Sequence, residues 1–400
     1  MTFSLGIVGA GQFSGSFASL FKLHPGVSSV VVTDLLPERA EALSAQFGLD
    51  GTAPSFEALL DSDVDAVGIF TQRWTHGPLV VRALRAGKHV YSAVPMAISR
   101  EEIAEIIEAV RETGLTYMMG ETSYYNPATV YARRKVEEGA FGRLVYAEGD
   151  YMHDMDLGFY KAYQHSGGEN WQSTASYPPM LYPTHAIGGV LGAWPTHAVS
   201  VSCVGIRDTA GDGVFDRSIS AFDNDFSNQS ALFELADGGA MRTNEMRRVG
   251  YPSKIRESRF RFFGTDASFE QLARQSVWQN KYDFEDITEQ LQTQRTLSTT
   301  DKALEHIDPD LRDAFVSGHA PVHDRSLLPA EYEGLPNGHE GSHHFLAHEF
   351  VSAVNERRLP TVNAWVAARF TLPGIVANES ARQGGIRLAI DDFGDAPDHG

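Results

Sequence analysis

Residues 4–39 read SLGIVGAGQFSGSFASLFKLHPGVSSVVVTDLLPER, and the order of residue types in this stretch decides the fold. Ser4–Val8 is an apolar run of strand length, which enters a glycine turn and then a helical spacing of apolar side chains. After a short break, VSSVVVTD reads as a second buried strand ending on Asp34. Strand, glycine turn, helix, and strand with a terminal acid make the first βαβ unit of a dinucleotide-binding domain. Gly9 permits the tight turn, and Gly11 lets the backbone approach a pyrophosphate. The helix N-terminus offers unpaired N–H groups and a positive dipole end to the phosphates. The third position of the fingerprint is Ser14, with Gly15 beside it, and a small residue there preserves close packing of helix on strand. Asp34 can accept both hydroxyls of an adenosine ribose, and its charge repels a 2′-phosphate. Leu35 and Leu36 follow it with no adjacent arginine, which favours NAD over NADP, and Arg39 is the nearby cation that opposes this preference.

Outward from this unit the alternation continues. Pro37–Phe47, SFEALLD, GPLVVRALRAG and Ser99–Thr113 read as helices, while Asp65–Phe70, Lys88–Ser92 and LTYMMG read as strands. Strands alternating with helices imply a doubly wound parallel sheet with ligands at the strands' carboxyl ends. Those ends fall at Gly9–Ser14, Asp34, Thr71–His76, Ser92–Pro95 and Gly120–Tyr125. A dinucleotide is therefore expected against Gly9, Gly11, Gln12, Phe13, Ser14, Asp34, Thr71, Trp74, His76 and Pro95.

From about Asn126 the pattern changes. A helix (PATVYARRKVEEG) leads into GRLVYAEGDYMHD, THAVSVSCVGI, QSALFELADG, GAMRTNEMRRV and SRFRFFGTD, which alternate as strands do. Successive strands with turn signals imply an open, mainly antiparallel sheet. The fold class is thus α/β followed by α+β, with domains at 1–123 and 124–400. Residues 270–337 are polar and irregular and read as an insertion. Near the end, AWVAARFTLPGIVANESARQGG reads as a helix kinked or broken at its proline.

The 400 residues suffice for two domains, and a hydrophobic content of 42% is ordinary for globular chains. The net charge of −19 argues against nucleic acid or an anionic membrane as a partner. No apolar run approaches membrane-spanning length, and the first apolar run is a strand rather than a signal peptide. The single cysteine, Cys203, has apolar neighbours and agrees with a reducing, cytoplasmic setting.

This layout resembles the glucose–fructose oxidoreductase / inositol dehydrogenase (Gfo/Idh/MocA) family. The matching features are GIVGAG, AGKHVYSAVP, EEGAFGRLVYAEG, THAIG, and ERRLPTVNAWVAA near the end. The resemblance implies a Rossmann domain, a substrate domain on an open antiparallel sheet, a nicotinamide cofactor, a carbohydrate-like substrate, and a homodimer or homotetramer. Dehydrogenases of the family carry Glu-Lys-Pro where this chain has Ala93, Val94 and Pro95, so the lysine that assists proton movement is absent. A Val-Pro version looks like the family's NAD-dependent glycoside hydrolases, such as the α-N-acetylgalactosaminidases. Met118–Tyr125, Phe141–Asp154 and the LYPTH ending at His185 resemble them too. Such enzymes oxidise a sugar hydroxyl, usually at C3, eliminate the aglycone, add water and reduce the ketone back, outside the two-carboxylate mechanism.

Carried over residue by residue, this resemblance points to His185, Tyr182, Tyr151 and Glu121 as catalytic, with His153 beside them. His185 can take the proton of the alcohol, and either tyrosine, as phenolate, can remove the C2 proton if a neighbour lowers its pKa. Glu121 can hold sugar hydroxyls or protonate the leaving oxygen. Tyr151 and His153 lie two apart on a strand and share one face. The basic stretch Arg242–Phe262 offers Arg247, Arg248 and Lys254 for an anionic sugar substituent. His339, His343, His344 and His348 form a cluster read as a pocket edge or helix start, and no metal is expected there. The leading reading is an NAD-dependent, redox-neutral glycosidase, with an NAD-dependent sugar or cyclitol dehydrogenase as the alternative.

Overall fold

The structure is a computed structural model and describes residues 2–250, 257–305 and 307–397. In the first third, β-branched and aliphatic runs leave strands without a polar face. Leu5, Ile7, Val30, Val32, Val67, Ile69 and Val90 are all buried, as expected of a sheet with helices on both sides. The elements follow as β1 (Phe3–Val8), α1 (Gln12–Leu23), β2 (Val27–Thr33), α2 (Pro37–Phe47), β3 (Gly51–Thr52) and α3 (Phe56–Leu60). Then come β4 (Ala66–Ile69), α4 (His76–Arg85), β5 (His89–Ser92), α5 (Arg100–Thr113) and β6 (Tyr117–Met119). The strands are parallel, in the order β3-β2-β1-β4-β5-β6. The direction of winding reverses between β1 and β4, and ligands of such sheets bind at that crevice. Local signals set the ends: Ser99 caps α5 by accepting from the Glu102 N–H, and Gly114 stops it in the left-handed region at φ +67°.

The rest of the chain builds a second sheet. α6 (Pro127–Glu137) leads to β7 (Leu144–Met152), and α7 (Phe159–Gly167), α8 (Trp171–Ala175) and α9 (Thr184–Leu191) precede β8 (Ala198–Arg207). β9 (Phe226–Leu235), β10 (Ala240–Met246), β11 (Ser258–Gly264), β12 (Ala267–Gln271), β13 (Ser276–Asn280) and β14 (Phe284–Asp286) follow. α10 (Thr288–Leu291), α11 (Ser342–Glu356), α12 (Ala364–Arg382) and β15 (Leu388–Ala389) complete the chain. The order is β14-β13-β12-β11-β7-β10-β9-β8-β15. Neighbours are antiparallel except β7 and β10, which run parallel. Two antiparallel runs, β14-β13-β12-β11-β7 and β10-β9-β8-β15, therefore meet at the parallel β7–β10 pair.

Two expectations change. Residues 270–337 are not wholly irregular: β13 and β14 extend the sheet edge, with Phe269 opposite Trp278. The remainder has its own small core of Leu304, Ile307, Phe315 and Val316, against which Phe13 packs. α12 also runs through Pro373 without a break, buried along most of its length, so tertiary packing outweighs the lost backbone bond. Cys203 is buried, as its apolar neighbours imply, and burial pushes its thiol up to about 12.

A dinucleotide cradle beside a buried histidine relay

The turn after β1 meets the demands of a bound dinucleotide. Gly9 sits at φ +97°, and a Cβ there would lie 2.9 Å from the Phe70 carbonyl oxygen. A Cβ on Gly11 would meet nothing within 4 Å, so this backbone faces open space. Gly11 is also the N-cap of α1 and supplies no side-chain hydrogen bond, which leaves the first-turn N–H groups to a ligand. Ser14 turns its hydroxyl onto the Gly11 carbonyl at 2.7 Å. Asp34 accepts from the Ala10 and Leu36 N–H groups at 2.7 and 2.9 Å, which fixes the carboxylate beside the turn. Arg39, the cation that would favour a 2′-phosphate, instead donates to the His165 carbonyl at 3.1 Å. Together these features fit an NAD whose pyrophosphate meets α1 and whose adenosine ribose meets Asp34.

Three residues expected along this wall also make contacts within the protein. His76 is buried with its ring nitrogens 2.7 Å from the Pro95 carbonyl and 3.2 Å from that of Thr71, so it pins two strand ends. Phe13 packs against Phe17, Phe70 and the rings of His339 and His343. Trp74 lies against Tyr177 and Phe222. Phe13 and Trp74 stay partly exposed.

Across the cleft, α9 approaches the end of β6 and the face of β7 closely. A Cβ on Gly149 would lie 2.4 Å from the Ala186 carbonyl oxygen, and one on Gly188 2.9 Å from the Glu121 side chain. This contact brings His185 against Glu121: Nδ1 is 2.8 Å from Oε1, and the same oxygen accepts from the Ser123 N–H at 2.7 Å. With Nδ1–H donating to the carboxylate, Nε2 carries the lone pair, and Tyr182 donates to it at 3.3 Å. Burial raises the Glu121 pKa, but attraction to His185 and its hydrogen bonds outweigh this and hold the carboxyl below its ordinary value. Glu121 is completely buried, with Oε1 against His185.

Tyr151 lies over His185, with ring centroids 4.6 Å apart, and His153 stacks on Phe159 at 3.6 Å. Burial, with Glu257 adding to it, lifts the Tyr151 hydroxyl well above its ordinary pKa. Burial also raises Tyr182, opposed there by Arg73 and Arg247. Arg247 lines the same cleft but donates to Glu245 at 2.9 Å, and burial pushes Glu245 up to about 8. Arg248 does not reach the cleft: Asp208 and Asp212 neutralise it at 3.1 and 2.7 Å. Lys254 lies outside the described residues.

Two further residues join the site: His339, from the cluster read as a pocket edge or helix start, and Arg73, to which the sequence reading assigns no role of its own. His339 stands 5.9 Å, ring to ring, from His185, with Nδ1 2.8 Å from Nε2 of His343. It and Glu340 occupy the left-handed region at φ 46° and 56°, a strained pair of the kind that functional loops retain at about 1–3 kcal/mol each. Arg73, at the end of β4, places its guanidinium 4.5 Å from the Tyr182 ring.

Comparison with known proteins agrees with this architecture. The profile of the family described as "Oxidoreductase family, NAD-binding Rossmann fold" (GFO_IDH_MocA) matches residues 3–121. The chain is 32% identical over 145 residues to scyllo-inositol 2-dehydrogenase (NAD(+)) of Bacillus subtilis strain 168, covering 36% of this chain and 42% of that protein. It is 30% identical over 196 residues to glycosyl hydrolase family 109 protein 2 of Shewanella sp. strain ANA-3, covering 46% and 43%. The matches thus span less than half the length of these curated relatives. Levoglucosan dehydrogenase in complex with NADH and levoglucosan shares the fold over 98% of this chain and all of that one, with a TM-score of 0.73 at 18% identity. Glycine turn, strand order and sequence match converge on the N-terminal part of the chain, where residues 3–121 form an NAD-binding Rossmann domain of the Gfo/Idh/MocA oxidoreductase type.

Proposed function

We propose that this protein is an NAD-dependent, redox-neutral glycoside hydrolase, in which a sugar is transiently oxidised at C3, loses its aglycone, gains water and is reduced again. The observation that carries this reading is the buried line Glu121–His185–Tyr182, standing where the dehydrogenase lysine position holds the buried Val94. Bound NAD supplies a reversible hydride acceptor. His185 Nε2 receives the proton of the sugar hydroxyl, and Glu121, a positioning residue, fixes the tautomer and stabilises the imidazolium. Tyr182 is the better base for the C2 proton, because its hydroxyl reaches His185 Nε2 and Arg73 joins Arg247 in opposing burial and Glu121 there, whereas at Tyr151 Arg247 alone opposes burial and Glu257. Valine can perform none of these steps.

The 30% match to a glycosyl hydrolase family 109 protein supports the hydrolase reading, and the 32% match to an inositol dehydrogenase favours the second one, a sugar or cyclitol dehydrogenase. A homodimer or homotetramer goes with either, supported by Val204 and Leu232, which stand 63% and 54% exposed on the open sheet. A cytoplasmic setting goes with the buried thiol of Cys203. Among the described residues no helix is long and apolar enough to cross a membrane. The readings separate by stoichiometry on a panel of p-nitrophenyl glycosides with trace NAD. Nitrophenol far in excess of NAD supports the hydrolase; NADH formed one-for-one with oxidised sugar, and no nitrophenol, overturns it.

A further inference from the structure

Among the described residues, no carboxylate balances the charge of Arg73. It is partly buried and donates to the Tyr163 hydroxyl at 2.7 Å. Its guanidinium lies 4.5 Å from the Tyr182 ring, 5.4 Å from Tyr163, 5.7 Å from Tyr177 and 5.8 Å from Phe159. Arg247 stands 5.7 Å from the same Phe159 ring. Both arginines line one narrow cavity, with Tyr182 in its wall. Glu245 accepts from Arg247 at 2.9 Å and Glu257 lies 3.7 Å from His153, so neither acid serves Arg73. Two guanidiniums gathered at one ring repel each other, and aromatic faces alone offset only a fraction of a desolvated charge. An oxyanion in the cavity would remove both costs at once, with the planar fork of Arg73 presented to it.

We propose that Arg73, with Arg247 beside it, is a receptor for an exocyclic oxyanion on the sugar substrate: a carboxylate, a sulfonate or a phosphate ester. The inference rests on the carbohydrate reading above, because the anion is carried by the sugar whose hydroxyl meets His185. Tyr182 joins the two sites, since it touches Arg73 with its ring and His185 with its hydroxyl. It assigns specificity to a residue that the strand-end pattern had grouped with the cofactor wall. The basic stretch of the sequence contributes Arg247 alone among its described candidates, because Arg248 is paired elsewhere.

The test is equilibrium binding to the NAD-loaded full chain, by titration calorimetry, of matched methyl glycosides in the gluco and galacto series. Each neutral glycoside is compared with its 6-carboxylate, 6-sulfonate and 6-phosphate, which separates the sources of the charge. In at least one series an anionic member should bind about tenfold to a hundredfold more tightly than its neutral parent, the range of a charge-assisted hydrogen bond. Arg73→Gln should abolish that preference, bringing the anionic members down to the affinity of their neutral parents, while Arg73→Lys retains part of it. Equal binding of neutral and anionic members by the wild-type protein overturns the proposal, without any variant having to fold. So does binding of none of them, or an Arg73→Gln loss shared equally by neutral and anionic members, which marks a packing role. Sugar release followed in parallel keeps the two readings apart. Anion preference without release leaves the receptor standing and sinks the hydrolase, and release without preference does the reverse.

Discussion

Glu121→Gln removes a charge from the centre of the relay while keeping its shape. The amide oxygen can still accept from the Ser123 N–H and from His185 Nδ1, at the positions now 2.7 and 2.8 Å away. Glu121 is fully buried, so the substitution leaves the solvent-facing surface unchanged. What is lost is the attraction between the carboxylate and the imidazolium that forms as His185 takes a proton. Two unit charges about 4 Å apart at an effective dielectric of about 20 interact by about 4 kcal/mol. If about half of that is expressed in the transition state, kcat falls about thirtyfold, and full expression gives about a thousandfold. KM should hardly move, because the attraction lost is to a charge that forms only in the reaction. The assay is kcat and KM for wild type and E121Q, with melting temperatures alongside. An E121Q enzyme with wild-type kcat would refute the reasoning.

Gly149→Ala places a methyl 2.4 Å from the Ala186 carbonyl oxygen, an overpacking expected to cost about 1–3 kcal/mol. Because α9 carries His185, the variant should lose activity as well as melting temperature, and retention of both contradicts the close-approach argument. Asp34→Asn should weaken NAD binding and narrow the preference for NAD over NADP about tenfold, measured by titration, through loss of a charged acceptor for the ribose hydroxyls and of repulsion towards a 2′-phosphate. Burial depresses His24, His323 and His344 from 6.5 to about 4 each, in part helped by neighbouring cations or histidines. The unfolded chain therefore takes up protons below about pH 6.5 that the folded chain refuses until about pH 4, and stability falls with pH in that window. The limit is about 1.4 kcal/mol per pH unit for each histidine. A melting temperature unchanged between pH 7.5 and 5.5 would contradict it.

The fold was legible where local chemistry and tertiary demand coincide. The glycine turn before α1, the apolar strands and Asp34 each have one structural solution, and the parallel sheet follows from them. Alternation in the later strands revealed a sheet but not the parallel pairing of β7 with β10, which arises from a long-range connection. The polar look of residues 270–337 hid β13 and β14, because edge strands need bury only one face. In the site, the family resemblance named Tyr182, His185 and Tyr151 together, whereas strand phase joined Tyr151 only to His153; the structure sets Tyr151 against both Tyr182 and His185. The function of Glu121 depends on depth, which periodicity does not report. Arg73 and His339 reach the cleft from distant segments: Arg73 meets Tyr163, ninety positions away, and His339 meets His185 through a strained loop. Two adjacent non-glycine residues at positive φ leave no compositional trace, although the glycines at 338 and 341 mark where the chain turns.

The central claim is that proton transfer at the His185–Tyr182 pair serves elimination and hydration of a glycoside with no net oxidation. The most direct measurement follows deuterium at C2 of the sugar released from a hydrolysed glycoside, in deuterium oxide with catalytic NAD. The account predicts close to one solvent deuteron at C2 per sugar released, no accumulation of NADH, and loss of the incorporation together with release in a Tyr182→Phe variant. Sugar released with hydrogen fully retained at C2, or NADH accumulating one-for-one with an oxidised sugar that keeps its aglycone, would contradict it.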